Sequence, residues 1–204
     1  MTGQQIINKF RTYVDDGSEL STAEELALLN KKYNELQNDR EWEWCKTTES
    51  GLQSGAYIQL PLTTRFIADD VESDLGRVVY DTDNNDIAYP IYPSSKRRQF
   101  RNELWYDETN KRIMLPTDRV HPITGKNYEV DLYVEQEALT LTTSPVFRAG
   151  FHDILVHAMA LDFDIIDQME SAFSKQANNQ SAYNNFYSDM CYEDAQNKDW
   201  DYEK

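Results

Sequence analysis

Few residues in this chain have the type and spacing to perform chemistry, and the acidic run beginning at Asp81 comes nearest. Asp81, Asp83 and Asn85 occupy alternate positions, as the first three ligands of a calcium-binding loop do. The likeness stops there, because Asp86 stands where the loop needs glycine and Tyr92 where a bidentate glutamate is needed. We therefore predict a solvated hairpin loop at this position.

The histidines lack the spacing of a metal or catalytic centre. His152 and His157 are five residues apart, so they would not share one face of a helix, and His121 lies far from both in sequence. Asp153 and His157 are four residues apart, which predicts a helix-surface pair more than a catalytic base with its orienting acid. The two cysteines are distant in sequence, and we interpret them as reduced thiols. The sequence thus predicts no catalytic residue, no metal site and no cofactor, and a protein that is not an enzyme.

The number of carboxylates leaves one enzymatic alternative open. The chain has 36 Asp and Glu among its 204 residues, and a glycosidase needs only two carboxylates at a suitable distance. Their spacing in the sequence does not single out any pair. A cell-wall hydrolase therefore remains an alternative function.

The net charge limits which nucleic-acid functions are compatible with the chain. The formal charge is −16, and residues 151–204 alone contain 11 acids and three bases. Tight DNA binding depends on cationic contacts that release counterions, so this charge disfavours it. The same charge permits a surface along which DNA slides, a basic protein partner, or an acidic inhibitor that mimics DNA.

One basic cluster interrupts this acidic composition. Its members are Lys96, Arg97, Arg98 and Arg101. Four bases are few for a nucleic-acid groove. The cluster is therefore either an exposed loop face or a contact with an acidic surface, such as another copy of this chain.

Length and composition predict a folded protein outside the membrane. Apolar residues make up 40% of the chain, enough for a core at this length. No apolar run approaches the roughly 20 residues of a membrane span. The N-terminal sequence lacks the basic start and apolar core of a signal peptide. We expect a protein that is made and kept in a cytoplasm.

The elements that would position these residues begin with a pair of helices. Capping-box spacing at Thr2 and at Ser21 predicts two helix starts, and apolar residues follow each at helical intervals. The short connection predicts antiparallel packing. The second helix runs into Trp42 and Trp44, which are suited to plug a junction with whatever follows.

From about Thr47 the pattern changes to short strands. Alternating apolar residues flank two polar runs, and this predicts two hairpins, formed by residues 78–80 with 87–89 and by residues 103–106 with 112–115. A further strand is predicted at residues 130–134. Every proline lies between residues 57 and 146, so the helical segments have none.

A second change of pattern marks the return to helices. The β-branched segment at residues 139–143 predicts a strand, and a strongly periodic helix begins near Phe151. A break or cap is predicted at residues 178–181. The last helix would carry Tyr183, Phe186, Tyr187 and Met190 on one face.

Together these patterns predict an α+β fold. A bundle of about four helices would be interrupted by a β-rich domain inserted between helices two and three. The predicted boundaries are residues 1–46 and 147–197 for the helical bundle, 47–146 for the inserted domain and 198–204 for an acidic C-terminal tail.

The order of these segments resembles the head-to-tail connector, or adaptor, proteins of tailed bacteriophages, the group that includes the tail tubular protein A type. Three pieces carry the likeness: the helical pair that ends at residues 40–44, residues 112–116 followed by the strand at 128–134, and residues 139–147 leading to the helix at 151–158.

The resemblance implies a structural virion protein in the neck between capsid and tail, assembled in the host cytoplasm. It implies a homo-oligomeric ring, usually of twelve copies, that binds the portal protein above and a downstream tail protein, a nozzle or hub, below. Genomic DNA would pass through the ring during ejection without specific binding, no membrane would be involved, and no chemistry would be performed.

Carried over to this chain, the resemblance also suggests which residues contact the portal. The candidates lie on the last helix and in the acidic tail: Tyr183, Phe186, Tyr187, Met190, Trp200 and Tyr202. Aromatic and methionine side chains suit an interface anchor. For the four helix residues, packing within the subunit is the alternative.

Overall fold

The protein has a mixed α+β fold, as predicted, with four α-helices and a curled sheet of nine strands in the described part. The structure, a computed structural model, describes residues 1–14, 20–70, 75–96, 102–166 and 172–200. The chain forms two compact units: a helical unit of residues 1–44 and 136–204, and a β unit of residues 45–135. No helix among the described residues is long and apolar enough to span a membrane.

The helical unit begins with the predicted pair of capped helices. Its helices are α1 Gly3–Tyr13, α2 Thr22–Asp39, α3 Asp153–Ile166 and α4 Ala172–Trp200. Both predicted capping boxes are present: the Thr2 hydroxyl accepts from the Gln5 amide, and the Ser21 hydroxyl accepts from the Glu24 amide. Each box satisfies amide donors that a helix start would otherwise leave unpaired.

The core of the helical unit consists of apolar residues from all four helices. They are Ile6, Ile7, Phe10, Leu29, Tyr33, Leu36, Ile154, Leu155, Met159 and Met190, all less than 5% exposed. A buried ion pair joins the first two helices, since the Arg11 guanidinium donates 2.8 and 2.5 Å bonds to the two carboxylate oxygens of Glu25. Burial of these residues supplies most of the helical stability, because short helices are marginal in water.

Residues 139–143 do not form the predicted strand. Their backbone hydrogen bonds go to the helices: the Gly3 amide donates to Thr143 at 2.8 Å and the Gln4 amide to Leu141 at 3.0 Å. The Asn30 side chain accepts from the Leu139 amide at 2.6 Å and donates to its carbonyl at 2.9 Å. Gly3 permits this approach, because a Cβ there would lie 2.3 Å from the Thr140 carbonyl oxygen.

The predicted break at residues 178–181 is also wrong, because α4 continues through it. Asn179 is buried, and its side-chain oxygen lies 3.4 Å from His157 Nδ1 on α3. This tertiary contact outweighs the weak helix propensity of the asparagines.

The β unit is one curled sheet. Its strands are β1 Lys46–Leu52, β2 Tyr57–Gln59, β3 Thr64–Ile67, β4 Asp69–Asp70, β5 Gly76–Asp81, β6 Ile87–Pro93, β7 Leu104–Asp107, β8 Arg112–Met114 and β9 Asn127–Val134. The order is β1-β9-β5-β6-β7-β8-β2, while β3 also pairs with β9 and β4 with β5. Both predicted hairpins are confirmed as the antiparallel pairs β5–β6 and β7–β8.

The predicted insertion of a β-rich domain between helices two and three agrees less well with the structure than the predicted α+β class does. The inserted domain was expected to span residues 47–146 with a strand at 139–143, whereas the β unit spans residues 45–135 and the last described strand ends at Val134. The shift has a physical cause, since residues 136–143 hydrogen-bond to α1 and α2. Strand β1 was not predicted, because its residues are mostly polar and do not alternate with apolar ones.

The acidic run that resembles a calcium loop forms a turn of its own between β5 and β6. Asp81 is fully buried, and its carboxylate accepts from the Asp83 amide at 3.1 Å and the Asn84 side chain at 2.6 Å. Asn85 and Asp86 adopt left-handed conformations with φ near 55°, which short polar side chains tolerate. The carboxylate oxygens of Asp81 are therefore engaged in closing the turn.

We predict that Asn30→Ala destabilises the helical unit by about 1–3 kcal/mol, because the buried backbone groups of Leu139 lose both partners. Urea unfolding at neutral pH measures this change. The matched control is Asn38→Ala on the same helix, whose exposed side chain bonds only within α2. Both changes replace asparagine by alanine within α2, so equal unfolding free energies for the two variants would contradict the prediction.

Candidate partner-binding surface

Helix α4 carries five of the six predicted contact residues, and four of these pack within the helical unit. The Phe186 ring stacks on His157 at 5.7 Å, the Tyr183 ring stacks on Tyr187 at 6.1 Å, and Met190 is 3% exposed. The Tyr187 hydroxyl donates a hydrogen bond to the Asp39 carboxylate. Burial and this hydrogen bond raise the pKa of the Tyr187 phenol. These contacts hold α4 against α2 and α3.

An aromatic cluster at the end of α2 packs against the middle of α4. Trp42 is fully buried, its indole nitrogen donates to the Leu36 carbonyl at 2.7 Å, and its ring contacts Tyr187 edge-on at 5.9 Å. Trp44 stacks on Trp42 at 5.9 Å and on Tyr33 at 6.2 Å. Such rings bury a large area with few rotatable bonds, so the cluster makes a rigid platform.

Polar contacts fix the C-terminal half of α4 to the same platform. Asp194 is buried, and its carboxylate accepts from the Glu43 amide at 2.6 Å and lies 3.4 Å from the Arg40 guanidinium. At the preceding residue of α4, the Glu193 carboxylate accepts a 2.7 Å hydrogen bond from Arg148. A buried carboxylate with an amide donor and a cation is a strong positional constraint.

A cavity of about 200 Å³ lies beside these contacts. Aromatic, apolar and charged residues line it: Glu43, Trp44, Val146, Phe147, Arg148, Phe151, Met190, Glu193 and Asp194. Val146 is 52% exposed, and the buried indole nitrogen of Trp44 has no hydrogen-bond partner among the described residues. The cavity has room for one side chain of a partner.

A second cavity, of about 280 Å³, lies between α2, α3 and α4. Its apolar floor includes Leu36, Ile154 and Leu155, and Lys32 and Asp162 stand at its edge. The Asp162 carboxylate bonds to Lys31 at 2.7 Å and to Lys32 at 2.6 Å. Burial opposes ionisation of this carboxyl, but the hydrogen bonds from the two lysines outweigh it and lower the pKa of Asp162.

The charge is concentrated on the helical unit. It contains 9 Lys and Arg against 21 Asp and Glu, a formal charge of −12, whereas the β unit contains 11 against 15, a formal charge of −4. The helical unit is therefore suited to a basic partner and repels phosphate backbones.

The histidines serve packing. His121, in the β unit, is buried against the Tyr89 ring, and burial lowers its pKa to about 4, so it is neutral at physiological pH. His152 Nε2 lies 3.0 Å from the Phe147 carbonyl. The predicted Asp153–His157 pair is not formed: Asp153 bonds to Lys9 at 2.6 Å, and His157 packs on Phe186.

The remaining predicted sites are only partly described. Lys96 ends a short 3-10 turn and is exposed. Trp200 ends α4. Tyr202, Arg97, Arg98 and Arg101 lie outside the described residues. Within the described part, no group of three or more His, Cys, Asp or Glu side chains is arranged to hold a metal ion.

Sequence reasoning missed the residues before α3 that lie beside α4. Val146, Arg148 and Phe151 lie beside Met190 and Glu193, although Arg148 and Glu193 are 45 residues apart in sequence. The sequence around Arg148 does not identify the helix that this segment contacts. Long-range contacts of this kind have no periodicity in the sequence.

Comparison with known proteins gives one family. A family model described as SU10 adaptor protein matches residues 1–201, which is nearly the whole chain. A comparison with curated proteins gives no match.

We predict that Asp162→Asn lowers stability by about 1–2 kcal/mol at neutral pH, because two lysines lose their shared carboxylate. The lysines hold the pKa of Asp162 below the ordinary value of 3.8, so this stabilisation is present above that pH and is lost as the pH falls through the lower pKa of the folded state. Unfolding measured between about pH 7 and pH 3 should show the two proteins converge. Asp189→Asn, an exposed change on α4, is the control, and a difference independent of pH would contradict the prediction.

Proposed function

The chain belongs to the SU10 adaptor protein family, and from that premise we propose that it is a head-to-tail connector that forms a ring between the portal and the tail of a bacteriophage. Membership makes the chain a structural adaptor of a phage and a component of the virion that binds other virion components. The ring, its place in the neck and its two neighbours are the proposal, and the match over residues 1–201 is the observation that carries it.

The helical unit is the part that we propose docks on the portal. Its surface offers a cavity lined by aromatic residues together with Glu43 and Glu193, and its charge of −12 favours a basic partner. Helix α4 extends beyond Asp194, its last described contact with residues 39–44, to Trp200. We propose that the end of α4 and the tail with Tyr202 lie along the partner, and that Lys96, Arg97, Arg98 and Arg101 face a neighbouring copy or a tail protein.

The channel of the proposed ring passes DNA without holding it. An acidic channel surface repels the phosphate backbone at close range, so no cationic contacts hold the DNA as it passes. The protein then works by fitting against its neighbours and transforms no substrate. Family membership favours this function over an acidic DNA mimic or a cell-wall hydrolase.

We predict that truncation after Asn197 weakens binding to purified portal at least about tenfold while the subunit still folds, because the removed residues are terminal. Binding is measured by sedimentation with portal, and folding by thermal unfolding. Leu62→Ala is the control, since Leu62 is 83% exposed and belongs to the β unit, outside the unit that we propose docks on the portal. Equal portal binding by the truncated and full-length chains would contradict the assignment of the tail.

We also predict weak affinity for free duplex DNA at physiological salt, with a dissociation constant above about 10⁻⁴ M, because the net charge of −16 offers no counterion release. Fluorescence anisotropy of a labelled duplex measures this. A micromolar or tighter complex at that salt would contradict a channel that passes DNA freely.

A further inference from the structure

Strand β1 is an edge of the sheet. It pairs with β9 over its whole length, from Lys46 with Tyr133 to Leu52 with Asn127, and no strand of the described chain lies on its other side. Thr47, Thr48, Ser50 and Leu52 are exposed, and Leu52 is 61% exposed. An edge of seven residues is long, and its unpaired amide and carbonyl groups are a template for another chain.

Two hydrogen bonds identify which backbone groups face outward. The Gln53 amide donates to the Lys126 carbonyl at 2.9 Å, so Gln53 faces β9. Backbone groups alternate in direction along an antiparallel strand, so Thr48, Ser50 and Leu52 face away from β9. The Ala68 amide donates to the Asp131 carbonyl at 2.9 Å, on the β3 side of β9, and Asp131 is the partner of Thr48. Because Asp131 bonds toward β3 and lies opposite Thr48, the bonding pattern of β9 also places the backbone groups of Thr48 on the outer side of β1.

Strand β1 has few of the features that usually prevent an edge strand from pairing with another chain. The register with β9 has no bulge and β1 has no proline. Its two charges are Lys46, which lies 3.4 Å from Asp131, and Glu49. The far end of the sheet differs, because β2 has only three residues. Of these two edges, β1 is therefore the longer one and offers more unpaired backbone groups.

The charge distribution indicates what pairs with this edge. Two copies that met through their helical units would each bring a charge of −12, whereas the β unit brings −4. Contact between copies costs less electrostatic repulsion through the β unit. The three outward-facing residues of β1 are uncharged, so a strand of a neighbouring copy can approach them. In a ring each copy presents two different surfaces to its neighbours, so that strand belongs to an edge other than β1.

We infer that the outer edge of β1 pairs with a strand of a second copy of this chain, through the backbone groups of Thr48, Ser50 and Leu52. The inference rests on the proposed function, in which copies assemble side by side, and it names the surface by which they do so. The pairing adds a strand to the sheet across the subunit boundary.

Amide hydrogen exchange resolved by residue tests the inference on the unaltered chain. In the dilute monomer, the amides of Thr48, Ser50 and Leu52 should exchange rapidly, and those of Thr47, Glu49 and Gly51 should be protected by β9. In the assembly on purified portal, the first three should become protected as well. An assembly of several copies in which these three amides still exchange rapidly would overturn the inference.

Ser50→Pro provides the matched variant. Proline removes an outward amide and leaves the bonds to β9 intact, so the subunit should fold while the affinity between copies falls at least about tenfold. Ser50→Ala keeps the amide and should assemble like the unaltered chain. Normal assembly of a folded Ser50→Pro variant would overturn the inference.

The two proposals fail in different ways. Copies that bind portal singly, without contacting one another, would overturn the pairing at β1 and leave portal attachment intact. A chain that does not bind portal at all would overturn the proposed function.

Discussion

The burial of Trp42 at the end of α2 is the constraint on which the helical unit depends. The fully buried indole donates to the Leu36 carbonyl, so the chain leaves α2 in one direction. The ring contacts Tyr187, and Asp194 caps the Glu43 amide close by, so α4 is fixed to the same point. The cavity beside Met190, which we propose as a docking surface, exists only because these elements meet there.

Local patterns predicted a large part of the fold. The capping boxes at Thr2 and Ser21 and the two hairpins each depend on residues within about ten positions of one another, so their signals are complete in the sequence. The errors arose where distant partners decide the conformation. Residues 139–143 look like a strand, but Gly3 and Asn30 bind their backbone groups, and α4 crosses an asparagine-rich segment because Asn179 packs on His157.

The candidate site was less predictable than the fold. The sequence identified aromatic residues on the last helix and left packing within the subunit as an alternative, but it did not decide between the two for Tyr187 and Met190, and it did not show that Arg148 lines the cavity. The sequence pattern did not predict strand β1, because polar residues such as Thr48 and Ser50 form a strand here through pairing with β9. Its capacity for contact lies in backbone groups, which every residue has and no motif records.

A structural adaptor differs from an enzyme in where its specificity resides, since rigid surfaces and charge decide its partners. The most direct measurement of this account is the mass of the complex that the chain forms with purified portal. The account predicts several copies of the chain on each portal and no binding of the chain to nucleic-acid enzymes. A monomer that ignores portal and binds a polymerase or nuclease would contradict it.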